Sequence, residues 1–343
     1  MKQKTLTLAI CLLFALTGLS GLKVRSQTEV NFNEEWAGDG FMWGLVAYHI
    51  PFNCYELRSE DFRIIADNGI EWLSVDFAWR LIEPRDEVYD FSCYDFIVSE
   101  ANRNGLKIIA KIGNGYNGNR PVVPDWTKDL STERYVEEIS EYTKKVVRRY
   151  KGSIYKYSIE NEPNEIKGHV RNGWRVGEWN EEKVFEILKG LSRSVRSSDP
   201  RAKIILSVGT CSSGWETWLR KAVSKVDFDV IGIQSYPCIF LPNPYLARNV
   251  ANDIRIARGY GKDVIVLETG YHTYLRSQQN QARYIEEISR AALNAGAKGV
   301  FFYEYLDGPD EPLESEKQFG LLKNNREPKL AWLKYGEVIG GYK

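Results

Sequence analysis

Eight short apolar runs, each followed by a longer stretch whose apolar residues recur every three or four positions, set the pattern of this chain. The runs cover residues 41–47, 71–76, 106–112, 154–160, 203–208, 229–234, 263–267 and 299–304. They are rich in β-branched and aromatic side chains, as buried strands are. The stretches between them read as helices. In 131–150, Tyr135, Val136, Ile139, Tyr142, Val146 and Val147 make one apolar stripe, and Ser131 stands where an N-cap belongs. Residues 182–196 and 279–293 repeat that period, and 326–338 reads as the closing helix. Asn68-Gly69 and Asn104-Gly105 fall where helices should stop, since glycine enters the left-handed terminating conformation without steric cost. Strict strand–helix alternation demands a parallel sheet covered on both faces. Eight such units in 343 residues fit an α/β fold of the (β/α)8 TIM barrel type, built as a single domain. An open dinucleotide-binding sheet would need a GxGxxG turn after its first strand, and the first unit carries none.

The first residues do not belong to that pattern. Lys2 and Lys4 precede an apolar run from Leu6 to Leu19, and Val24-Arg25-Ser26 has the character of a cleavage site. Residues 1–26 are therefore expected to be a signal peptide and 27–343 the barrel, placing the mature protein outside the cytoplasm, secreted or periplasmic. The run is too short to span a bilayer comfortably. After removal of Cys11, Cys54, Cys93, Cys211 and Cys238 remain; an exported chain can pair them in three ways or keep them as buried thiols.

Charge excludes some partners. With 46 basic and 46 acidic side chains, the chain has no electrostatic footprint for nucleic acid or an anionic membrane. His49, His169 and His272 are widely spaced and no CxxC pair occurs, so neither a metal site nor another cofactor is expected. Aromatic residues make up 13% of the chain, with ten Trp. They serve either a large core or the stacking of sugar rings, whose CH faces lie flat on aromatic surfaces. If they stack sugars, the expected partner is an oligo- or polysaccharide, bound by a monomer.

Reactive residues of a (β/α)8 barrel sit at the C-terminal ends of its strands. The fourth run continues into Glu160-Asn161-Glu162-Pro163-Asn164, and the seventh into Glu268-Thr269-Gly270. Two carboxylates facing each other across a barrel mouth are the equipment for glycoside cleavage, in which one attacks or activates water and the other protonates the leaving oxygen. A lone Glu at a strand end is as readily a rim charge, but Asn161 can hold a sugar 2-hydroxyl and Pro163 stiffens the turn.

The segment Ile159-Glu160-Asn161-Glu162-Pro163-Asn164 resembles the acid/base motif of glycoside hydrolase clan A, notably its family 5 and family 39-like members. Further segments carry the likeness along nearly the whole mature chain: Asp76-Phe77-Ala78-Trp79 with Ile82-Glu83-Pro84, Ile233-Gln234-Ser235-Tyr236-Pro237, and Phe319-Gly320-Leu321-Leu322. The resemblance implies a retaining β-glycosidase with Glu162 as acid/base, Glu268 as nucleophile, Asn161 on the 2-hydroxyl and Tyr236 hydrogen-bonded to the nucleophile. Tyr303 would replace the usual floor Trp, and Gln234 the usual sixth-strand His. The Arg that braces the nucleophile in many members is missing: Ser74 stands in its place, with Arg80 or a loop residue as a stand-in. Trp79, Trp126 and His49 are further candidates to line the sugar site, with Trp174, Trp179, Trp215, Asn114 and Tyr116 near the same loops. Glu160 is expected to be structural, His272 a loop residue, and Asp307 and Asp310 rim charges.

Short strand-to-helix loops leave an open groove, which favours endo attack on a β-linked polysaccharide. The departures at Ser74, Gln234 and Tyr303 motivate an alternative, a carbohydrate-binding protein on a degenerate barrel. An aldolase-like barrel would need a Schiff-base lysine, for which Lys111 is the visible candidate.

Overall fold

The computed structural model describes residues 40–47, 57–113, 124–166, 179–236, 246–308 and 313–343. The expected signal segment, Cys54, Cys238, His49, Asn114, Tyr116, Trp174 and Asp310 lie outside them. All described residues belong to one compact unit, Asp39–Lys343.

Eight parallel strands close into a barrel in sequence order. They are β1 (Met42–Val46), β2 (Trp72–Ala78), β3 (Lys107–Gly113), β4 (Lys156–Ile159), β5 (Lys203–Gly209), β6 (Val230–Gln234), β7 (Asp263–Gly270) and β8 (Gly299–Tyr303). A helix follows each: α1 (Ser59–Asp67), α2 (Ser92–Arg103), α3 (Thr132–Tyr150), α4 (Glu181–Ser198), α5 (Trp215–Lys225), α6 (Leu246–Arg258), α7 (Gln278–Ala295) and α8 (Leu330–Tyr342). The (β/α)8 expectation stands, with every strand within three residues of its expected ends. The last helix begins at Leu330 rather than 326, because the chain before it folds back and pairs Leu322 with Pro328.

Local chemistry explains the helix ends. The Ser131 hydroxyl accepts from the Arg134 amide at 3.3 Å, the Asn180 side chain from Lys183 at 3.0 Å, and the Ser277 hydroxyl from Asn280 at 3.1 Å. Each such cap is worth about 1 kcal/mol. α7 stops at Gly296, whose φ of 81° is the left-handed conformation expected of a terminating glycine.

Alternation along each strand sends one set of side chains outward to the helices and the other into the barrel interior. The outward set (Leu73, Val75, Phe77, Ile108, Ile112, Tyr157, Val208 and their neighbours) joins the helices in one apolar core. The inward set includes Val46, Ile109, Ile205 and Phe301, all fully buried. Gly44 is required here, since a Cβ at that position would lie 2.2 Å from the Phe301 ring. Closure is made by β1 on β8, with Val46 beside Tyr303, and α8 ties in through the Tyr335 hydroxyl, which donates to the Gly44 carbonyl at 2.9 Å. Arg326 and the Tyr305 hydroxyl both bind the fully buried Asp61 of α1, joining the chain after β8 to the first helix.

Candidate active site

The β4 end departs from regular strand geometry at the residues the sequence singles out. Glu160 and Glu162 both take positive φ, 56° and 44°. Left-handed backbone is uncommon for a side chain with a Cβ, and such positions concentrate at functional sites. Buried partners hold the turn in place. The Glu162 amide donates to the Ser207 hydroxyl at 3.2 Å. Asn164 exchanges two hydrogen bonds with Gly209 at the end of β5, at 2.9 and 2.8 Å. The buried Trp179 indole donates to the Pro163 carbonyl at 3.2 Å. Gly209 also makes room for the acid itself: a Cβ there would meet the Glu162 carboxylate at 2.7 Å.

Gln234 at the end of β6 completes this frame. Its amide nitrogen donates to Asn161 and, at 3.1 Å, to the Ser207 hydroxyl. Gln234 has no exposed surface, so the expectation that it contacts substrate is corrected: it orients Asn161 from behind. Glu160 is buried, with its carboxylate against Gly113.

The β7 end places Glu268 by a different device. Along β6 and β7, Ile231 faces Val264, Gly232 faces Ile265 and Ile233 faces Val266, but Gln234 faces Glu268. Leu267 is the extra residue of a β-bulge. Its side chain lies inward against Gly232, and the bulge lets the next residue, Glu268, point inward as well. Thr269 then turns away from the interior, donating to the Ser235 carbonyl at 2.7 Å and meeting the Tyr284 hydroxyl of α7 at 2.5 Å.

Both oxygens of Glu268 are engaged. The Tyr236 hydroxyl donates to Oε1 at 2.5 Å, as the sequence resemblance implies. Oε2 accepts from the ammonium of Lys111 at 3.2 Å. Lys111 reaches across the interior from β3 and pairs equally with Asp76 of β2, also at 3.2 Å. The cation missing at Ser74 is thus supplied from the next strand. Arg80, the expected stand-in, pairs instead with Asp125 at 3.6 Å on the surface. Lys111 carries no sequence signal beyond a charge inside an apolar strand; its partners become visible only once the barrel is closed.

Electrostatics separate the two glutamates. Glu162 is held well above the usual carboxylate range, first by enclosure and then by the negative charges of Glu268 and Glu165, with Lys111 offsetting part of the rise. The Lys111 ammonium is held protonated: burial alone would lower it, but Asp76 and Glu268 together outweigh burial. A Schiff-base lysine needs the opposite shift, so the aldolase-like role for Lys111 is withdrawn.

The aromatic candidates divide. Trp79 has no exposed surface; it stacks on Tyr142, and its indole donates to Glu83 at 2.7 Å. It is a core residue, not a sugar platform. Trp126 is half-buried, edge-on to Trp79, with its indole on the Glu83 carbonyl at 3.2 Å. Trp215 is buried at the start of α5. Tyr303 stands at the β8 end in an aromatic cluster, its ring 6.3 Å from Tyr236 and 5.3 Å from Phe319. His272 lies in the loop after β7, buried edge-on to Phe319. Asp307 binds Lys329 at 2.6 Å and is not a bare rim charge. Cys93 is disulfide-bonded and Cys211 carries a free thiol, which rules out two bridges among the four cysteines.

Comparison with known proteins places this geometry. The family model described as glycosyl hydrolase family 53 matches residues 99–301, more than half of the chain, and one described as beta-galactosidase matches residues 51–128. A Dictyoglomus thermophilum protein named beta-1,4-xylanase is 28% identical over 48% of this chain and 47% of its own length. A Neosartorya fischeri protein named probable arabinogalactan endo-beta-1,4-galactanase A is 29% identical over 42% of each. The chain therefore spans about half the length of these curated relatives. Among solved structures, a family 39 glycoside hydrolase from Bacteroides cellulosilyticus WH2 superposes with a TM-score of 0.68 at 19% identity, covering 89% of this chain and 64% of its own. The clan expected from the sequence stands: the chain belongs to glycosyl hydrolase family 53, among the clan A glycoside hydrolases.

Proposed function

We propose that this protein is a retaining, endo-acting β-1,4-glycanase. The observation that carries the reading is the unequal pair at the barrel mouth, one carboxylate raised toward its acid form and the other held between a cation and a phenol. A double displacement needs that inequality. The Glu268 carboxylate attacks the anomeric carbon, the glycosidic carbon–oxygen bond breaks, and its electron pair leaves with the oxygen, which takes the Glu162 proton. Water then attacks the glycosyl–enzyme ester and gives its proton to Glu162, and Glu268 departs as a carboxylate. Asn161, fixed by Gln234, holds the sugar 2-hydroxyl. Tyr303 and Trp126 remain the stacking candidates among the described aromatics.

The names of the relatives support β-1,4 linkages, with galactan and xylan as the first polymers to try. The alternative, binding without catalysis, rested partly on the missing Arg, and Lys111 answers that objection. Export after cleavage of a signal peptide before Gln27, and action as a monomer, complete the proposal. The deciding experiment follows product stereochemistry by proton NMR during hydrolysis of β-1,4-galactan and β-1,4-xylan. The β-anomer should appear first and then mutarotate. Initial release of the α-anomer would mean inversion, and no reducing ends from either polymer would favour the binding-only alternative. N-terminal sequencing of the exported protein checks the cleavage site.

A further inference from the structure

The Asp76–Lys111–Glu268 chain crosses the barrel interior from β2 to β7. Lys111 is 4% exposed and lies 3.2 Å from a carboxylate oxygen on either side. One ammonium between two carboxylates leaves the trio with a net negative charge before reaction. If Glu268 becomes a glycosyl ester, it loses its charge, and a lysine paired with Glu268 alone would become an uncompensated buried cation, which is costly. Asp76 prevents this, because its pairing with Lys111 does not depend on the state of Glu268.

We infer that Lys111 and Asp76 act together as positioning residues for Glu268: the ammonium holds the carboxylate in place and faces its negative charge before attack, and Asp76 keeps the ammonium compensated while Glu268 is esterified. This rests on Glu268 being the nucleophile. The groups facing Glu268 are Lys111 from β3, with Asp76 of β2 behind it, the Tyr236 hydroxyl after β6, Tyr303 at the β8 end close to Tyr236, and Glu162 after β4, with Glu165 beside it. Among these described groups, Lys111 supplies the positive charge. Removing it leaves the Glu268 carboxylate facing Asp76 with no countercharge among these described groups, which destabilises its negative charge. Removing Asp76 instead gives Glu268 the whole of the ammonium, so its negative charge is better stabilised but it reacts less readily.

The test combines two readouts on the full chain with Lys111→Met, Asp76→Asn, the double variant and Lys111→Arg. The first is the titration of Glu268 by difference infrared spectroscopy against Glu268→Gln in the same background. It should move up by at least about one pH unit in Lys111→Met. It should move down in Asp76→Asn and return toward its original position in the double variant. The second is kcat/KM on the 2,4-dinitrophenyl β-glycoside of galactobiose or of xylobiose, whichever is turned over. This leaving group needs little acid help, so the rate reports on Glu268. Lys111→Met should lose about 10²–10³-fold, comparable to removing one charge-stabilising donor. The double variant should recover at least about tenfold of that, because it removes the carboxylate repulsion along with the cation. Lys111→Arg keeps the charge and serves if the methionine variant does not fold; it should titrate like the unsubstituted protein. A Glu268 titration that stays in place in Lys111→Met and Asp76→Asn overturns the inference, whatever the activity. If the titrations move as stated but neither glycoside is cleaved by the unsubstituted protein, the charge pairing stands and the hydrolase reading falls.

Discussion

The ends of β4 and β7 each deliver one glutamate to the same pocket, by opposite means. At β4 the backbone is turned out of the strand by two left-handed residues, and the acid is surrounded by negative charge. At β7 the strand continues through a one-residue bulge, and the carboxylate meets a cation and a phenol. The lesson is that the division of labour between two chemically identical side chains is set by which neighbours each strand end brings with it. Glu165 accompanies Glu162 along the chain, whereas Lys111 reaches Glu268 from across the barrel.

The comparison is broken most completely at Glu268. Glu268→Gln keeps the shape and removes the attacking oxygen, and should cost about 10⁴-fold or more in kcat on every substrate, activated or not. Glu162→Gln should be more selective. It should lose about 10²–10⁴-fold on polysaccharide but far less on a dinitrophenyl glycoside, whose leaving group needs no proton. Equal losses on both substrates would overturn the acid assignment. The pH profile sharpens the same point. Glu162 must carry a proton for the first step, so kcat/KM should fall as pH rises through its raised pKa, and that basic limb should vanish in Glu162→Gln.

A smaller effect is expected from Gly209→Ala. The added Cβ would press on the Glu162 carboxylate at 2.7 Å and should slow polysaccharide hydrolysis about tenfold, leaving the dinitrophenyl glycoside nearly unaffected. The smallest effect concerns stability. A carboxyl whose folded pKa is raised contributes stability below its unfolded pKa and loses it as pH rises toward the folded value. Glu162→Gln escapes that loss. Its thermal midpoint should exceed that of the unsubstituted protein above about pH 5, by about 1–2 °C per kcal/mol relieved, and the gain should fade in acid. A variant that is equally stable at every pH would show that the enclosure of Glu162 is not a folding cost.

These contrasts also explain what could be read from the sequence. The strand–helix alternation is a local pattern, so the barrel and the ends of its strands were legible. Glu162 was legible because Asn161 and Pro163 adjoin it in the chain. Lys111 and Asp76 were not, because their meaning depends on closing the barrel and on the parity of β2 and β3, which bring three charges from distant parts of the chain together. Trp79 misled for the same reason: a tryptophan just past a strand reads equally well as groove or core, and only the packing of α3 against it decides. The Gln234 reading failed more narrowly, since its place in the motif was right and the direction of its amide was not.

The bulge at Leu267 has a mechanical side. The short stretch of chain bearing Glu268 is anchored before it by Leu267 against Gly232 and after it by Thr269 on Ser235 and Tyr284. A carboxylate clamped on both flanks behaves as the fixed jaw of a vice. The β4 turn, pinned by Ser207, Gly209 and Trp179, is the opposing jaw, so the width between the two carboxylates, on which the stereochemical outcome depends, is set by fixed backbone on both sides.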